Sequence, residues 1–507
     1  MPPSPLFASV LWQGDHFKIL DETLLPWKTE YITVHEIPQA LEAVKEMKTR
    51  AFGQVLTFLY SLALAAKNHA AKDRESLDER LIQLGDEFSR VRPTFDFQGL
   101  YRRFCAGLGE PPADEEVGSW VETKAHEWIA RIIKAREKRA RRTAELLPNP
   151  CRLMTHCNVS GELVAVAQYC EELGKEIEVC ATETRPYLQG TRLTAWELHQ
   201  AGVKVALIPD CAIGQVMAQG RVNAVLVGAD RCARNGDVIN KVGTYPLALV
   251  AKEYRIPFYA LVQDPGSLVR GEDVQIEERP VAELLTFQGR PLIPEGLKGI
   301  EGRYPAFDVT PAGLISSLIT FDETFTPETF QQRFKAASPV PQEGKKEQGR
   351  LLLIYGVPRP ESYPYLSYSG KTAETQALLV PEMRPHLWGA QVVAGELLRR
   401  QIPMTLISDN MMGSFFARGE IRRLCLFYSE LGPKGPVGIC GSLLAVLLAR
   451  AHRVPIELLS AGESDRPPLD RDVSTFLGQQ VSPEGVATYP VEREVIPWAL
   501  FKNASDA

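Results

Sequence analysis

The pattern of apolar and polar positions divides the chain into a helical first part and a longer part in which strands alternate with helices. After two short strand-like runs at 11–19 and 31–34, apolar residues recur every three or four positions, which predicts amphipathic helices. The predicted helices span residues 40–48, 53–67, 76–91 and 117–147. The sequence therefore predicts a mostly helical N-terminal domain, residues 1–147, that ends in a long connector helix.

From residue 148 onward, short and wholly apolar runs alternate with helical ones. The strand-like runs span residues 152–155, 177–181, 203–208, 224–227 and 258–262. Strands that are apolar on both faces and joined by helices are typical of a parallel sheet covered on both sides. Ligands of such sheets bind beyond the C-terminal ends of the strands. Residues 148–335 are therefore predicted to form a Rossmann-like α/β domain with its site at that edge.

Part of this domain recurs later in the chain. Residues 185–220 match residues 384–419 at a constant offset of 199, and a shorter offset of 189 pairs Phe287 with Phe476. A period of about 150 residues is far longer than a solenoid repeat and corresponds to a whole domain. The fold class predicted is α/β: a helical N-terminal domain followed by two tandem Rossmann-like parallel-sheet domains, the second a degenerate duplicate.

A polar segment rich in Pro and Gly separates the two α/β domains. Residues 336–350 contain nothing that could be buried, and this composition is typical of an inter-domain linker. The duplicate domain is then predicted to span residues 351–507.

The composition is that of an ordinary globular chain. Of the 507 residues, 45% are hydrophobic and 24% charged, and the net charge is only −6, which predicts no general attraction to nucleic acid. No apolar run reaches the ~18 residues that a membrane span needs. The nine cysteines show no CxxC spacing and favour a reducing cytoplasm over a disulfide framework or a zinc site. The basic stretch 134–142 is interpreted as a solvated helix face.

Two chemically active side chains follow apolar strands of the first α/β domain. Cys157 follows the run 152–155, and Asp230 follows the run 224–227. Both are expected to face the ligand crevice, where burial raises the pKa of a thiol and of a carboxyl and makes them an acid/base pair. The alternative is structural: a small core cysteine and an aspartate that caps a helix.

A second candidate feature is the run 235–244, which predicts a turn leading into a helix. A helix N-terminus with free backbone N–H groups beside Lys241 would suit a phosphate, although a plainly capped helix would show the same pattern. After the second strand, Arg185 and Gln189 offer hydrogen bonds. Arg185 recurs as Arg384, so a structural role is favoured for it.

The duplicated stretch serves as an internal control for these candidates. In the second copy Cys157 is replaced by Gly356, Asp230 by Ser429, Gln189 by Trp388, and Asn240-Lys241 by Gly438-Ile439. Residues that a fold needs are retained and residues that a reaction needs are lost. We therefore predict that the second copy is catalytically silent.

At these residues the chain resembles the methylthioribose-1-phosphate isomerase family. The resemblance covers about residues 11–320 and rests on the segments 155–158, 183–190, 193–198, 228–231, 235–238, 240–245, 276–279 and 305–311. It implies an aldose–ketose isomerase of methionine salvage that converts 5-methylthioribose 1-phosphate to the ribulose 1-phosphate form in the cytoplasm, with neither cofactor nor metal.

The resemblance also implies roles for individual residues. Cys157 and Asp230 would be catalytic, and the sugar phosphate would be held by Arg50, Arg92, Gln189, Asn240 and Lys241. The chain departs from the family's Arg-Gly-Ala-Pro, because it has Arg50-Ala51-Phe52-Gly53 instead. Phe52 is bulkier than the family's residue, so the departure bears on which sugar is bound.

Two alternatives to this function remain open from the sequence. Isomerases of 5-deoxyribose 1-phosphate and ribose 1,5-bisphosphate look similar, and the regulatory subunits of the eukaryotic translation-initiation exchange complex share the fold as non-catalytic scaffolds. The partner expected is a small sugar phosphate, with no nucleic acid and no membrane. The chain would be either a homo-oligomer or an intrachain pseudo-dimer, in which the second α/β copy occupies a partner's surface.

Overall fold

The structure is a computed structural model that describes residues 3–69, 74–93, 95–109, 116–297, 299–335, 349–369, 377–462, 468–490 and 493–501. The predicted linker 336–350 lies outside the described residues except for its last two positions, which have no regular structure. No helix in the described part of the chain is long and apolar enough to cross a membrane.

The N-terminal region is a small antiparallel sheet packed with helices around its own apolar core. Its elements are β1 Val10–Trp12, β2 Phe17–Leu20, β3 Tyr31–Val34, α1 Ile37–Lys45, α2 Phe52–Lys67, α3 Arg74–Val91, α4 Phe97–Ala106 and α5 Val117–Leu146. The short helix α4 was not predicted, although Asp96 caps it by accepting a hydrogen bond from the backbone N–H of Gly99. Helix α2 is buried on all sides and α5 packs along it, so α5 connects this region to the next.

The first α/β domain follows α5. Its elements are β4 Cys151–Thr155, α6 Glu162–Glu172, β5 Ile177–Thr182, α7 Ala195–Gln200, β6 Lys204–Ile208, α8 Ile213–Ala218, β7 Ala224–Gly228, β8 Arg231–Cys232, β9 Val238–Lys241, α9 Thr244–Glu253, β10 Phe258–Leu261, α10 Ala282–Leu285, β11 Thr286–Phe287, β12 Arg290–Pro291, β13 Glu301–Gly302, β14 Phe307–Thr310, β15 Ser317–Ile319, β16 Thr324–Phe325 and α11 Pro327–Arg333.

The second α/β domain begins at β17. Its elements are β17 Leu351–Tyr355, α12 Tyr363–Ser369, β18 Ala377–Pro381, α13 Ala394–Arg399, β19 Met404–Ile407, α14 Met412–Ala417, β20 Ile421–Tyr428, β21 Glu430–Gly432, β22 Gly435–Ile439, α15 Ser442–Ala451, β23 Ile456–Ser460, β24 Thr475–Phe476, β25 Gln479–Gln480, β26 Ala487–Thr488 and β27 Arg493–Val495.

The two large sheets have the same central strand order. The first runs β16-β15-β10-β7-β4-β5-β6-β26 and the second runs β13-β19-β18-β17-β20-β23. The strands β4, β5, β6, β7 and β10 of the first sheet correspond in order to β17, β18, β19, β20 and β23 of the second. Within each sheet these five strands are parallel. Both sheets also follow their second strand with a π-helical turn, at Gly190–Thr194 and Gly389–Val393. The chain is therefore an α/β protein with parallel sheets behind a helical N-terminal region.

Each α/β domain adds one short strand to the sheet of the other. Strand β26 pairs with β6 of the first sheet, and β13 pairs with β19 of the second, both in parallel. The registers correspond, because Ala206 and Thr405, which are 199 residues apart, each face the first residue of the added strand. The two sheets are thus joined by a mutual exchange of strands.

Ion pairs between the two domains are mutual as well. The guanidinium of Arg185 donates to the carboxylate of Glu382 over 2.9 Å, and that of Arg384 donates to Glu183 over 3.0 Å. Arg185 and Arg384 are 199 residues apart, and so are Glu183 and Glu382. All four side chains are fully buried. Phe287 contacts its counterpart Phe476 edge to face, with ring centroids 5.2 Å apart. The two domains are therefore related by an approximate two-fold axis that passes near the two phenylalanines.

Candidate active site

A cavity of about 150 Å³ lies at the C-terminal ends of β4, β5, β7 and β10, where the helical region covers the first sheet. Its wall includes the seven side chains to which the family resemblance gives a role: Arg50, Arg92, Cys157, Gln189, Asp230, Asn240 and Lys241. Arg185, the other candidate, pairs instead with Glu382 in the interface between the two α/β domains. The fold brings the seven side chains together from both regions, because α2, the end of α3 and α5 close the crevice over the strand ends.

Cys157 lies in a tight turn just after β4. Its backbone is in the left-handed region, with φ 67°, a conformation that residues other than glycine rarely adopt. The turn is held on both sides, since the Cys157 N–H donates to Thr184 Oγ1 and the Cys157 carbonyl accepts from Thr194 Oγ1. The surrounding bonds compensate this backbone conformation, which aims the thiol into the cavity.

Asp230 lies between β7 and the hairpin formed by β8 and β9. Its backbone N–H donates to the carbonyl of Ile239 over 3.0 Å, which fixes it beside Asn240 and Lys241. Asp230 lines the same cavity as Cys157, and its charge acts on the Cys157 thiol.

Burial raises the pKa of both candidate groups. For Cys157 the enclosing protein raises the pKa to about 11, with the negative charge of Asp230 adding to the rise and Lys241 opposing it. Burial also raises the pKa of Asp230, and here Lys241 and Arg92 act in the opposite direction. At neutral pH the thiol therefore keeps its proton, while the carboxyl, the stronger acid, is the group that can be ionised.

Arg50 and Gln189 present unsatisfied polar atoms to the cavity. Nε and Nη1 of Arg50 are buried without a hydrogen-bond partner among the described residues, and so is Oε1 of Gln189. The Arg50 guanidinium stacks on the ring of Tyr187, 3.4 Å from its centre, which orients the group without using its donors. Unpaired buried donors cost about 1–3 kcal/mol each, so Nε and Nη1 of Arg50 favour a ligand with oxygen acceptors, whereas Oε1 of Gln189 needs a donor such as a hydroxyl.

Asn240 and Lys241 lie on a strand, which corrects the prediction of a turn that leads directly into a helix. They belong to β9, and α9 begins only at Thr244. The first N–H groups of that helix are already taken, since Asp308 accepts from Gly243 and Tyr245. The helix N-terminus is therefore not free for a phosphate, and the ammonium of Lys241 is the cation that this segment offers.

Arg92 is tied into the wall of the cavity. Its Nη1 donates to Glu277 over 2.7 Å, and Glu277 also accepts from Arg279. Only Nε of Arg92 is buried without a partner among the described residues. Arg92 therefore has less free donor capacity than Arg50.

Two cavity-lining arginines lie in the stretch 134–142, which was interpreted as a solvated helix face. That interpretation is wrong for Arg136 and Arg139, because both are buried against Glu162. Arg139 forms a bidentate pair with Glu162 at 2.6 Å, and Arg136 donates to the carbonyl of Ser160, also over 2.6 Å. These bonds fix the turn that carries Cys157. The i, i+3 spacing of the arginines on one face of α5 was the only sequence signal for this role.

The turn before α2 carries the departure from the family's Arg-Gly-Ala-Pro. Ala51, which replaces the glycine, has φ 41°, and Phe52 starts the helix with its ring on the cavity wall. The Arg136 guanidinium lies 4.0 Å from the centre of that ring. Phe52 therefore narrows the cavity as a fixed apolar wall.

The chain is an α/β protein with a cavity at the strand ends of a parallel sheet, and several cationic side chains line that cavity. The sequence model of the initiation factor 2 subunit family matches residues 53–323, and the chain belongs to that family.

The similar proteins fall into two groups, one named as isomerases and one named as a translation initiation factor. The chain is 39% identical to a methylthioribose-1-phosphate isomerase of Desulforudis audaxviator, a match that covers 63% of this chain and 93% of that protein. It is 37% identical to one of Pelotomaculum thermopropionicum, with 62% and 90% covered. Among solved structures it is similar to 5-methylthioribose 1-phosphate isomerase from Pyrococcus horikoshii OT3, with a TM-score of 0.57, 30% identity, and 66% and 95% covered. It is also similar to translation initiation factor eIF-2B, subunit delta, from A. fulgidus, with a TM-score of 0.54, 35% identity, and 63% and 96% covered.

Proposed function

We propose that the protein is a sugar-phosphate isomerase of methionine salvage that converts 5-methylthioribose 1-phosphate to 5-methylthioribulose 1-phosphate. The observation that carries this is one cavity that holds a thiol and a carboxyl of raised pKa beside the unpaired guanidinium of Arg50 and the ammonium of Lys241. The relatives named above as methylthioribose-1-phosphate isomerases support the same activity.

The reaction moves one hydrogen and two protons. The anomeric oxygen of an aldose 1-phosphate is esterified, so the sugar cannot open to a free aldehyde. The bond between C1 and the ring oxygen breaks, the ring oxygen gains a proton, the hydroxyl on C2 loses one, and hydrogen moves from C2 to C1. A proton donor and a proton acceptor on either side of the ring satisfy this balance, and we assign these roles to Cys157 and Asp230. The atom balance of the reaction is the same whether the hydrogen moves from C2 to C1 as a hydride or as a proton.

The phosphate is assigned to the end of the cavity where cations remain free. Arg50 and Lys241 supply the charge, and the side-chain amide N–H groups of Gln189 and Asn240 are assigned to neutral hydrogen bonds. The unpaired Oε1 of Gln189 is an acceptor and suits a sugar hydroxyl. Charge-assisted bonds from a guanidinium and an ammonium are the strongest means of holding a phosphate in such a pocket.

Three of the other arginines that line the cavity are engaged by protein groups, which disfavours a second phosphate. The donors of Arg136 and Arg139 are taken by Glu162 and by backbone carbonyls, and Nη1 of Arg92 is taken by Glu277. The other walls are largely apolar and include Met47, Phe52, Phe95, Leu193 and Phe321. An apolar methylthio group suits these walls, whereas the second phosphate of ribose 1,5-bisphosphate does not.

This assignment predicts an order of substrates. We expect kcat/KM for 5-methylthioribose 1-phosphate to exceed that for 5-deoxyribose 1-phosphate by about tenfold or more, because the apolar slot gains from the methylthio group. Ribose 1,5-bisphosphate is expected to be at least about a hundredfold poorer, because its second phosphate would lack a cation. The three sugars are assayed side by side, with the ketose product measured directly.

Two outcomes would count against the proposal. If ribose 1,5-bisphosphate is the best substrate, the slot is not apolar in function and the choice of sugar is wrong. If none of the three is converted, the scaffold alternative gains, in line with the similarity to the eIF-2B subunit. Against a scaffold stand the buried unpaired donors of Arg50, which a protein without a ligand would have no reason to keep.

We also propose that the second α/β domain is a degenerate duplicate of the first and that one chain forms a pseudo-dimer. The shared strand order, the exchanged strands and the mutual ion pairs of Arg185 and Arg384 support this arrangement. The second copy has lost the counterparts of Cys157 and Asp230, so it would act as a partner surface without its own chemistry.

A pseudo-dimer predicts that the chain is a monomer in solution, because the surface that a second copy would use for pairing is already covered. Light scattering coupled to size-exclusion chromatography should therefore give the mass of one 56.4 kDa chain across the micromolar range. A tight homodimer joined through the first α/β domain would contradict the proposal.

A further inference from the structure

One backbone carbonyl connects the candidate site to the second α/β domain. The carbonyl oxygen of Val242, which follows Lys241, lies 2.9 Å from Nε2 of His156 and 3.2 Å from Nδ2 of Asn410. His156 precedes Cys157, and Asn410 belongs to the second domain. The segments that carry the ammonium and the thiol therefore share one acceptor with a residue from the far side of the inter-domain interface.

The chemistry of the bonded groups fixes which of them donates each hydrogen bond around His156. A carbonyl oxygen only accepts, so Nε2 of His156 carries the hydrogen. Nδ1 of His156 then accepts from the hydroxyl of Thr182, 2.7 Å away. Burial lowers the pKa of His156 to about 4, so the ring stays neutral in this arrangement at physiological pH. The histidine is fixed as a link rather than free to act as a base.

Asn410 is itself held rigidly. It is buried, its Oδ1 accepts from Ser408 Oγ over 2.6 Å, and its second amide hydrogen is donated to the carbonyl of Arg185 over 2.8 Å. The fit around it is close. A Cβ added at Gly243 would lie 2.9 Å from the Cβ of Asn410 and 2.7 Å from the His156 ring. The turn after β9 therefore rests directly on the second domain.

The approximate two-fold axis places Cys211 opposite Asn410. Cys211 lies 199 residues earlier, and its thiol approaches the carbonyl of Arg384 at 3.4 Å, just as Asn410 approaches that of Arg185. On this side of the axis the Cys211 thiol contacts the thiol of Cys440 at 3.6 Å, and among the described residues neither cysteine lines the candidate cavity. The stronger amide donor therefore stands on the side that faces the candidate site, and the weaker thiol on the other.

We infer that Asn410 is a positioning residue for the isomerase site. The second α/β domain supplies it to hold the turn after β9, and with it Asn240 and Lys241, against the substrate phosphate. The inference rests on the proposed function. It gives the silent domain a task in catalysis, because the first domain alone would leave the Val242 carbonyl with one donor fewer and the turn without its support.

The test replaces Asn410 and its counterpart in parallel. Asn410→Ala is expected to lower kcat/KM for 5-methylthioribose 1-phosphate by roughly ten- to a hundredfold, mainly through KM, because the groups that hold the phosphate shift. Cys211→Ala removes the counterpart contact in the same interface and is expected to leave both constants within about twofold of wild type. Asn410→Cys copies the residue found at the counterpart position, so it keeps the packing while removing the amide.

Hydrogen exchange monitored by mass spectrometry provides a readout that needs no activity. Peptides covering residues 238–245 should exchange faster in Asn410→Ala and Asn410→Cys, and at the wild-type rate in Cys211→Ala. If both positions affect stability alike and neither changes KM or this exchange, Asn410 is only part of the interface and the inference fails. If wild type converts none of the three sugars, the proposed function fails, while the exchange data still decide the role of Asn410.

Discussion

Replacing Cys157 with serine or Asp230 with asparagine is expected to lower kcat for 5-methylthioribose 1-phosphate by about two to four orders of magnitude, the usual contribution of a general acid or base. Serine keeps the size of the side chain but is a much weaker acid than the thiol, and asparagine keeps the shape of the carboxyl without its proton exchange. KM should change little in either variant, because Arg50 and Lys241 still hold the phosphate. Steady-state kinetics with direct detection of the ketose measures both constants.

A matched control separates chemistry from folding. Cys180 lies on β5 outside the cavity, so Cys180→Ser is expected to retain wild-type kcat. The pH profile gives a second readout. Because the pKa of Cys157 is raised to about 11, no loss of activity from thiol ionisation is expected up to about pH 9, and a fall should begin only as the pH approaches that value. A fall near pH 8 that disappears in Cys157→Ser would show an ionised thiol and overturn the assignment of Cys157 as donor.

The double variant is informative as well. If Cys157 and Asp230 act as one donor–acceptor unit, combining the two substitutions should lower kcat little beyond the worse single variant, since the paired proton transfer is already lost. Losses that multiply would mean that each residue acts on its own.

The parts of this site that follow directly from strands could be predicted from sequence. Cys157 and Asp230 each come straight after a wholly apolar run, and polar groups at those places in a parallel sheet face the crevice. The sequence predicts Asn240 and Lys241 in the right region but in the wrong element, since both lie on β9. The run from Val238 to Lys241 is short, and its antiparallel partner Phe307–Thr310 lies too far along the chain to be recognised.

Other features depend on three-dimensional packing that sequence does not display. A basic stretch on a helix is usually solvated, and only the buried position of Glu162 turns Arg136 and Arg139 inward. The exchanged strands Glu301–Gly302 and Ala487–Thr488 are two residues long, which is too short for any periodicity. Both are defined by contacts across the inter-domain interface, and no local pattern predicts them.

Positions that match between the two α/β domains at the offset of 199 fall into two groups with different physical roles. Arg384 and Glu382 are retained and buried in the interface, while the positions of Cys157 and Asp230 hold Gly356 and Ser429. A buried charge that loses its partner destabilises the fold, whereas a catalytic group can be lost without that penalty. The second α/β domain is therefore constrained by its contacts with the first, which accounts for the matching buried ion pairs.

Replacing Arg384 with alanine is expected to destabilise the protein by about 3–5 kcal/mol, because it leaves the buried carboxylates of Glu183 and Asp470 without their cation. The loss should depend on pH. Burial raises the pKa of Glu183 to about 7, and Arg384 opposes that rise. Without Arg384 the pKa of Glu183 rises further, so the native state retains a proton that the unfolded state releases above its pKa of about 4.5. Below about pH 7 the Glu183 carboxyl is protonated in both folded proteins, so the difference in stability between wild type and variant should grow only as the pH rises above about 7, where wild-type Glu183 ionises beside Arg384 and the variant's Glu183 does not.

Urea denaturation followed by tryptophan fluorescence at several pH values measures this difference. The control is an exposed ion pair between the same two domains, Arg450 with Glu253 at 3.1 Å, for which Arg450→Ala should cost less than about 1 kcal/mol. Adding Glu183→Gln to Arg384→Ala should recover part of the loss, because one of the two stranded carboxylates is then neutral. If Arg384→Ala is no more destabilising than Arg450→Ala, the buried pairs do not hold the two domains together, and the account of why the second copy kept them is wrong.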